Sequence, residues 1–233
     1  MVLGAFQNLS LTVLDSHDPS QVEAGIDATL ENLGVGYLDL YHMHWPVADV
    51  AGEKKIDYVD TWGAMTLLVK KGKTNHIGVS NFSPEQLKDL LDHTSHPPAV
   101  HQMELHPYLQ QSDFIGWHKK HGIHCTAYSP LAGTNPTYQK GEPPQLLKNS
   151  EVEKIAEKRG CTIAQAVLQW GMSRGTSVIP KSVHKEYIES NFKAPECILE
   201  KKDLEKMDKL GEYHHRYNNP SSSWGVDLYD GLE

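Results

Sequence analysis

The sequence predicts an α/β fold of the (β/α)8 TIM-barrel type, incomplete, with five or six βα units present. Three observations predict it. Short runs rich in branched and aromatic residues alternate with amphipathic helical stretches along most of the 233 residues. Four or five of those runs end in polar, distinctively worded segments, and barrels carry their chemistry where strands end. The count stops at five clear units, with residues 9–14 (LSLTVL) as a sixth strand and no room before them for more. The chain therefore reads as one domain over residues 1–233, with a divergent start over 1–16 and a polar, irregular tail over 213–233.

The elements follow in order. Residues 20–33 form a helix: Val22, Ile26, Leu30 and Leu33 recur at spacings of three and four, and Asp18-Pro19 offers a cap and an N1 proline. Residues 37–43 (YLDLYHM) form a strand ending at His44-Trp45-Pro46. Residues 61–70 are helical, stopped by Lys71-Gly72-Lys73, and 76–79 are a strand. Ser83-Pro84-Glu85 opens a helix with Leu87, Leu90 and Leu91 on one face. Residues 99–103 are a strand, 112–120 a helix closed by His121-Gly122, and 123–128 a strand. A Gly/Pro-rich loop over 130–144 follows. Helices over 150–159 and 163–174 lead to a strand at 177–179, then to helices over 184–192 and 200–210. A partial barrel leaves two strand edges that a closed one lacks. Residues 9–14 are expected to pair beside 37–43. The edge at 177–179 is expected to stay open, or to be capped by the tail or by self-association with a second copy.

The formal charge is −8, and its position matters more than its sum. Eight acids and no Lys or Arg precede Lys54, while the remaining residues balance at 22 against 22. A basic nucleic-acid stripe or polybasic membrane patch is excluded, and no apolar run approaches the ~18 residues of a membrane span. The acidic opening lacks the basic region of a secretory signal, so the expectation is cytoplasmic. Cys125, Cys161 and Cys197 are odd in number and widely spaced, which suggests reduced thiols.

Five strand ends carry candidate chemistry: His44-Trp45-Pro46, Gly78-Val79-Ser80-Asn81-Phe82, Gln102-Met103-Glu104-Leu105-His106-Pro107, Tyr128-Ser129-Pro130-Leu131 and Ile179-Pro180-Lys181-Ser182. Local sequence alone also allows a satisfied core histidine at His44, a helix cap at Ser80-Asn81 and ordinary core packing for Tyr128.

YLDLYHMHWP, HIGVSNFSPEQL, HQMELHPYLQQ, AYSPLAG and VIPKSVHKEYIESNF, in that order and spacing, resemble the aldo-keto reductases, in the aldose, xylose and glycerol reductase-like branch. The resemblance runs from about His17 to about Leu210. It implies a (β/α)8 barrel that binds NADPH in an extended pose and moves hydride between the nicotinamide and an aldehyde or ketone. It further implies that His44 orients and hydrogen-bonds the substrate carbonyl, and that Trp45 lines the substrate pocket. Ser80, Asn81 and Gln102 would hold the carboxamide, which suits amide side chains that offer donor and acceptor together. Tyr128 would stack on the nicotinamide, Ser129 and Leu131 would line the pyrophosphate, Lys181 and Ser182 would grip the 2′-phosphate, and Asn191 would meet the adenine.

There are two departures. Tyr187 stands where the family usually has an arginine beside the adenine and 2′-phosphate, which leaves NADH open beside NADPH; His184 and Lys185 are nearby. The family's catalytic tetrad is Asp, Tyr, Lys and His, and only His44 can be assigned. The first Tyr is Tyr37 and the first Lys is Lys54, both past the expected positions, and Val13 and Leu14 stand where the lysine is expected. The expectation is a truncated chain that begins part-way through a barrel. The function expected is an NAD(P)H-dependent oxidoreductase of this type. The alternative is a non-catalytic NADP(H)- or partner-binding relative. A metal-dependent barrel hydrolase, suggested by His42-x-His44, is remote, and no metal site is expected. The small carbonyl substrate stays open among a sugar, a glycerol-type triose and a secondary-metabolite ketone. The loop over 132–144 and the tail, with Trp224 and Tyr229, would shape its pocket.

Overall fold

The computed structural model describes residues 9–12, 17–47, 57–133, 143–229 and 232, with main chain alone for 9–12 and for Ser223 and Trp224. The rest of the 1–16 start, with Val13 and Leu14, and also Lys54 and most of the 130–144 loop lie outside the described residues. In chain order the elements are β1 (Leu9–Thr12), α1 (Val22–Leu33), β2 (Leu38–Met43), α2 (Tyr58–Lys70), β3 (Thr74–Ser80), α3 (Pro84–His93), β4 (Val100–Glu104), α4 (Ser112–Lys120), β5 (His124–Tyr128), α5 (Ser150–Arg159), α6 (Ile163–Ser173), β6 (Ser177–Val178), α7 (Lys185–Phe192), α8 (Lys201–Asp208) and α9 (Ser221–Trp224). The chain divides into two compact units, the first of residues 1–102, 116–124 and 220–233, the second of residues 103–115 and 125–219.

In the first unit β1, β2, β3 and β4 pair parallel in chain order, with Ser10 opposite Tyr41, Tyr41 opposite Ile77 and Ser80 opposite Gln102. β1 thus lies beside β2, as its position in the sequence suggests. Local chemistry sets the helix ends. Asp57 accepts from the Val59 N–H to cap α2, and Ser83 and Gln86 form a reciprocal capping box at α3 with Pro84 in its first turn. α1 starts two residues later than the periodicity suggests. Asp18 is spent on a turn, accepting from the Ser20 N–H and hydroxyl, so the helix opens after it. Val22 and Ile26 of α1, Trp62, Met65 and Leu68 of α2, and Leu87 and Leu90 of α3 are buried, as are Leu38, Leu40, Ile77 and Val79 of the strands. Each such side chain contributes about 1.5–3 kcal/mol of burial.

In the second unit β5 and β6 pair parallel, with Thr126 opposite Ser177. Asn149 caps α5, and a Thr162–Gln165 capping box starts α6. Tyr108, Val152, Ile155, Val167, Trp170 and Met207 make its core. Arg159 binds the carboxylates of Glu200 and Asp203, joining α5 to the start of α8. Cys161 and Cys197 form a disulfide across Cα atoms 5.7 Å apart, in contrast to the expected thiols, because the start of α6 packs beside the turn after α7. Cys125 is a buried free thiol. The tail also departs from an irregular reading: α9 forms, and Leu228 and Tyr229 are buried with Trp45 in the first unit. No described helix is long and apolar enough to cross a membrane.

Candidate active site

His44 follows β2 and is half-buried; burial lowers its pKa, so near neutral pH the ring is uncharged and keeps one N–H to donate. Trp45 is buried beneath Leu228 and Tyr229. Beside this turn His17 is buried, with its pKa pushed down to about 4 by burial, and its ring donates to the Val47 carbonyl. The Thr61 hydroxyl holds the His17 carbonyl at 2.6 Å. His17 thus ties the turn bearing His44 and Trp45 to α2, a role that no spacing in the sequence announces.

The end of β3 is a hydrogen-bonded latch. Asn81 has φ 61°, in the left-handed region that asparagine enters more readily than other non-glycine residues. Its amide nitrogen donates to the His44 carbonyl at 3.0 Å and to the Ser80 hydroxyl at 3.1 Å. Its backbone N–H donates to the Gln102 carbonyl at 3.1 Å. Three strand ends are therefore held by one side chain and its backbone. Gln102 is 3% exposed, and its Nε2 has no hydrogen-bond partner among the described residues. A buried amide donor left this way costs about 1–3 kcal/mol, so it marks a place where something else should accept.

A histidine pair supports the latch from behind. The Phe82 N–H donates to Nε2 of His101 at 3.1 Å, so that nitrogen carries no proton. The neutral His101 ring therefore donates from Nδ1 to Nε2 of His118 at 2.7 Å. Burial, and then the neighbouring His118 and His42, hold the His101 pKa well below its ordinary value. His42 itself packs over Gly78, where an added Cβ would stand 2.7 Å from its ring. It serves packing, and no group of three potential ligands able to hold a metal occurs among the described residues.

In the second unit Tyr128 ends β5, half-buried, and its phenol oxygen accepts from the Asn218 amide at 3.2 Å. Ser129 follows at φ 46°, a second non-glycine residue with left-handed backbone at a strand end. Leu131, Lys181, Ser182 and Asn191 line one cleft of about 810 Å³. Tyr187 and His184 share that wall, their rings edge-on with centroids 5.2 Å apart. The Ser182 hydroxyl accepts from the His184 N–H at 3.1 Å, which shapes the turn into α7. Thr162, Ala164 and Leu147 complete the wall and were not read from the sequence, although the Thr162–Gln165 capping spacing was there to be found. The ten candidate residues, with Trp45, thus fall into two clusters. His44, Trp45, Ser80, Asn81 and Gln102 lie in the first unit; Tyr128, Ser129, Leu131, Lys181, Ser182 and Asn191 lie in the second.

The first unit thus carries a strand-end histidine, a latched Ser-Asn turn and an orphaned amide, and the second carries an open cleft with a lysine. The sequence profile of the Aldo/keto reductase family matches residues 12–212, and the chain belongs to that family. It is 39% identical to an uncharacterized oxidoreductase of Schizosaccharomyces pombe, over 94% of this chain and 71% of that protein. It is 38% identical to a D/L-glyceraldehyde reductase of Hypocrea jecorina, again over 94% and 71%. An aldo-keto reductase of the silkworm Bombyx mori, solved with NADPH, superposes with a TM-score of 0.87 at 31% identity, covering 95% of this chain and 68% of that one. The chain spans about two thirds of the length of its curated relatives, from 63% to 71%.

Proposed function

We propose that the chain is an NADPH-binding oxidoreductase of the aldo-keto reductase type, acting on an aldehyde or ketone. The observation that carries this reading is the orphaned Nε2 of Gln102, buried beside the Ser80-Asn81 latch. A carboxamide placed there would accept from Gln102, and Ser80 and Asn81 would be its neighbours. The cofactor supplies hydride when bound. The protein's own part is to hold the carboxamide with Ser80, Asn81 and Gln102, and to place Tyr128 against the nicotinamide ring. Ser129 and Leu131 would border the pyrophosphate. Lys181 and Ser182 would take the 2′-phosphate, a cation and a hydroxyl against a dianion, and Asn191 the adenine. His44, neutral because burial disfavours its charge, donates an N–H to the substrate carbonyl. Trp45 under Leu228 and Tyr229 gives that carbonyl an apolar wall. A cytoplasmic setting and a small carbonyl substrate belong to the same reading.

A second reading, cofactor binding without turnover, is supported by the sequence, in which only His44 of the family's tetrad can be assigned. Tyr41 does not replace the family's acid, because burial lifts its pKa to about 12 and it is 1% exposed. The two readings separate in one experiment. The 233-residue chain is titrated with NADPH by fluorescence, then assayed for NADPH oxidation with a panel of aldehydes and ketones. Binding with turnover supports the first reading, binding alone the second, and no binding overturns both. Self-association is proposed through the β6 edge and α7, which buries none of its side chains and leaves Ile188 and Phe192 exposed. A monomer by sedimentation at micromolar concentration would remove it.

A further inference from the structure

We propose that Glu104 and Asn218 are positioning residues for Tyr128: a buried carboxylate clamps the tail so that the Asn218 amide fixes the tyrosine against the nicotinamide. This rests on the cofactor reading above and adds to it Glu104, which the strand-end motif contains without a role, and Asn218, which lies outside every candidate motif.

Glu104 ends β4 with no exposure to solvent. A buried carboxylate is costly unless donors surround it. Here three do. His106 donates from Nε2 to Oε1 at 2.8 Å, the Tyr217 N–H donates to the same oxygen at 2.8 Å, and the Asn218 N–H donates to Oε2 at 2.8 Å. Burial opposes the charge, but these bonds and the His106 ring outweigh it and hold the carboxyl below its ordinary pKa. Because a carboxylate only accepts, the bonded Nε2 of His106 carries the proton.

The tail segment so held is shaped for the end of β5. His214 has φ 41°, and the next residue, His215, donates its N–H to the Tyr108 carbonyl at 2.8 Å, turning the chain inward. Tyr217 then packs over Gly133, where an added Cβ would come within 2.3 Å of its ring. Asn218 reaches the Tyr128 hydroxyl at 3.2 Å. The loop from Tyr128 to Gly133, which carries Ser129 and Leu131, is thus held at both ends by consecutive tail residues. An ordinary packing role would not need an anion. Two successive backbone N–H groups aimed at one carboxylate fix both peptide planes flanking Tyr217, and with them the stretch of main chain that presents the Asn218 side chain.

The test compares two probes that differ only at the nicotinamide. NADP+ carries it; 2′-phospho-ADP-ribose keeps the adenosine, 2′-phosphate and pyrophosphate without it. Asn218→Ala is expected to weaken NADP+ about 3–10-fold, the loss of one hydrogen bond, and to leave 2′-phospho-ADP-ribose within twofold. Glu104→Gln sets an amide NH2 against an N–H donor and is expected to give the same selective loss, larger, with a lower melting temperature. Asn218→Gln, which keeps the amide, should recover part of the NADP+ affinity. Equal weakening of both probes, or no weakening of NADP+ in Asn218→Ala, overturns the proposal alone. Failure of the unmodified chain to bind either probe overturns the cofactor reading and the proposal with it.

Discussion

Ser80, Asn81 and Gln102 are 1%, 2% and 3% exposed, whereas in the cleft around Lys181 the wall is open, with Val183 at 73% and Tyr187 at 59%. The first cluster is made of strand ends whose polar atoms also hold the strands together. Around Lys181 the second is made of a loop and one exposed helix, and only Tyr128 and Leu131 of that cluster also tie the fold together. Binding and stability are therefore joined in the first cluster and separable in the second. The largest expected effect follows from this. Gly78 sits on β3 just before the latch, and a Cβ there would stand 2.7 Å from the Val100 carbonyl and 2.7 Å from the His42 ring. Neither neighbour is the end of a flexible chain. Gly78→Ala should cost about 3 kcal/mol, a drop in melting temperature of roughly 6–12 °C for a domain of this size. Val183→Ala, in the open cleft, should stay within about 0.5 kcal/mol. Similar melting temperatures for the two variants would break the contrast.

Acid should also divide the molecule. In the first unit His17, His44 and His101 are held neutral by burial, His17 with a pKa near 4. Unfolded, each takes up a proton near pH 6.5, so the unfolded chain binds more protons and stability falls as pH drops from about 6.5 toward 4. For His17 alone this is about 3 kcal/mol. The second unit has one histidine lowered by burial, His215, but its buried charges are Glu104 and Asp203. At Asp203 burial opposes the charge, and the Glu200 N–H and Arg159 outweigh it. Their contribution is complete above the ordinary carboxylate range and is lost only as pH falls through the lower folded values. Peptide-level hydrogen exchange, corrected for intrinsic rates, should show β2 and β3 losing protection before α5 and α8 as pH falls below about 6. The reverse order would sink the assignment of neutral histidines.

Most of the fold was legible because it is locally encoded. Periodicity located the helices, and Ser83-Pro84-x-Gln86 wrote the start of α3 into the sequence. The family was legible as five ordered phrases at strand ends. What was not legible depends on long-range geometry. Glu104 and Asn218 are separated by over a hundred residues and meet through backbone N–H groups, which no side-chain pattern encodes. Tyr229 looked like part of an irregular tail because its partner, Trp45, is far away in sequence. The acid-only opening likewise gains its meaning in three dimensions: Glu23 binds Lys71 and Lys73, and Asp27 binds Lys73, so part of the excess is met by the first basic cluster.

A sharper test of the join between binding and stability uses Gln102. Its Nε2 is a buried donor without a partner among the described residues, so Gln102→Met removes a cost as well as a contact. Stability should hold or rise by up to about 1 kcal/mol, while NADPH affinity falls about fivefold, the value of one hydrogen bond. A loss of stability with unchanged affinity would show that Gln102 serves the fold and that the carboxamide is held elsewhere.

The smallest effects belong to the open cleft, where charge can be changed with no consequence for the core. Lys181→Met should weaken NADPH several-fold and leave NADH unchanged, because only NADPH carries the 2′-phosphate. Tyr187→Arg runs the other way. It places a planar cation on the cleft wall that already holds Lys181 and Ser182, at a position 59% exposed. An exposed pair of this kind is worth about 0.2–1 kcal/mol, so NADPH affinity should rise by a factor of about 1.4–5 and the gain should shrink in high salt. NADH should again be indifferent. Melting temperature should not move, since α7 buries no side chain. If Tyr187→Arg weakens both cofactors equally, the tyrosine stacks on the adenine rather than standing in for a phosphate-binding residue. If it changes neither, and Lys181→Met changes neither, the phosphate is not bound in this cleft, and the contrast between the two clusters loses its functional half.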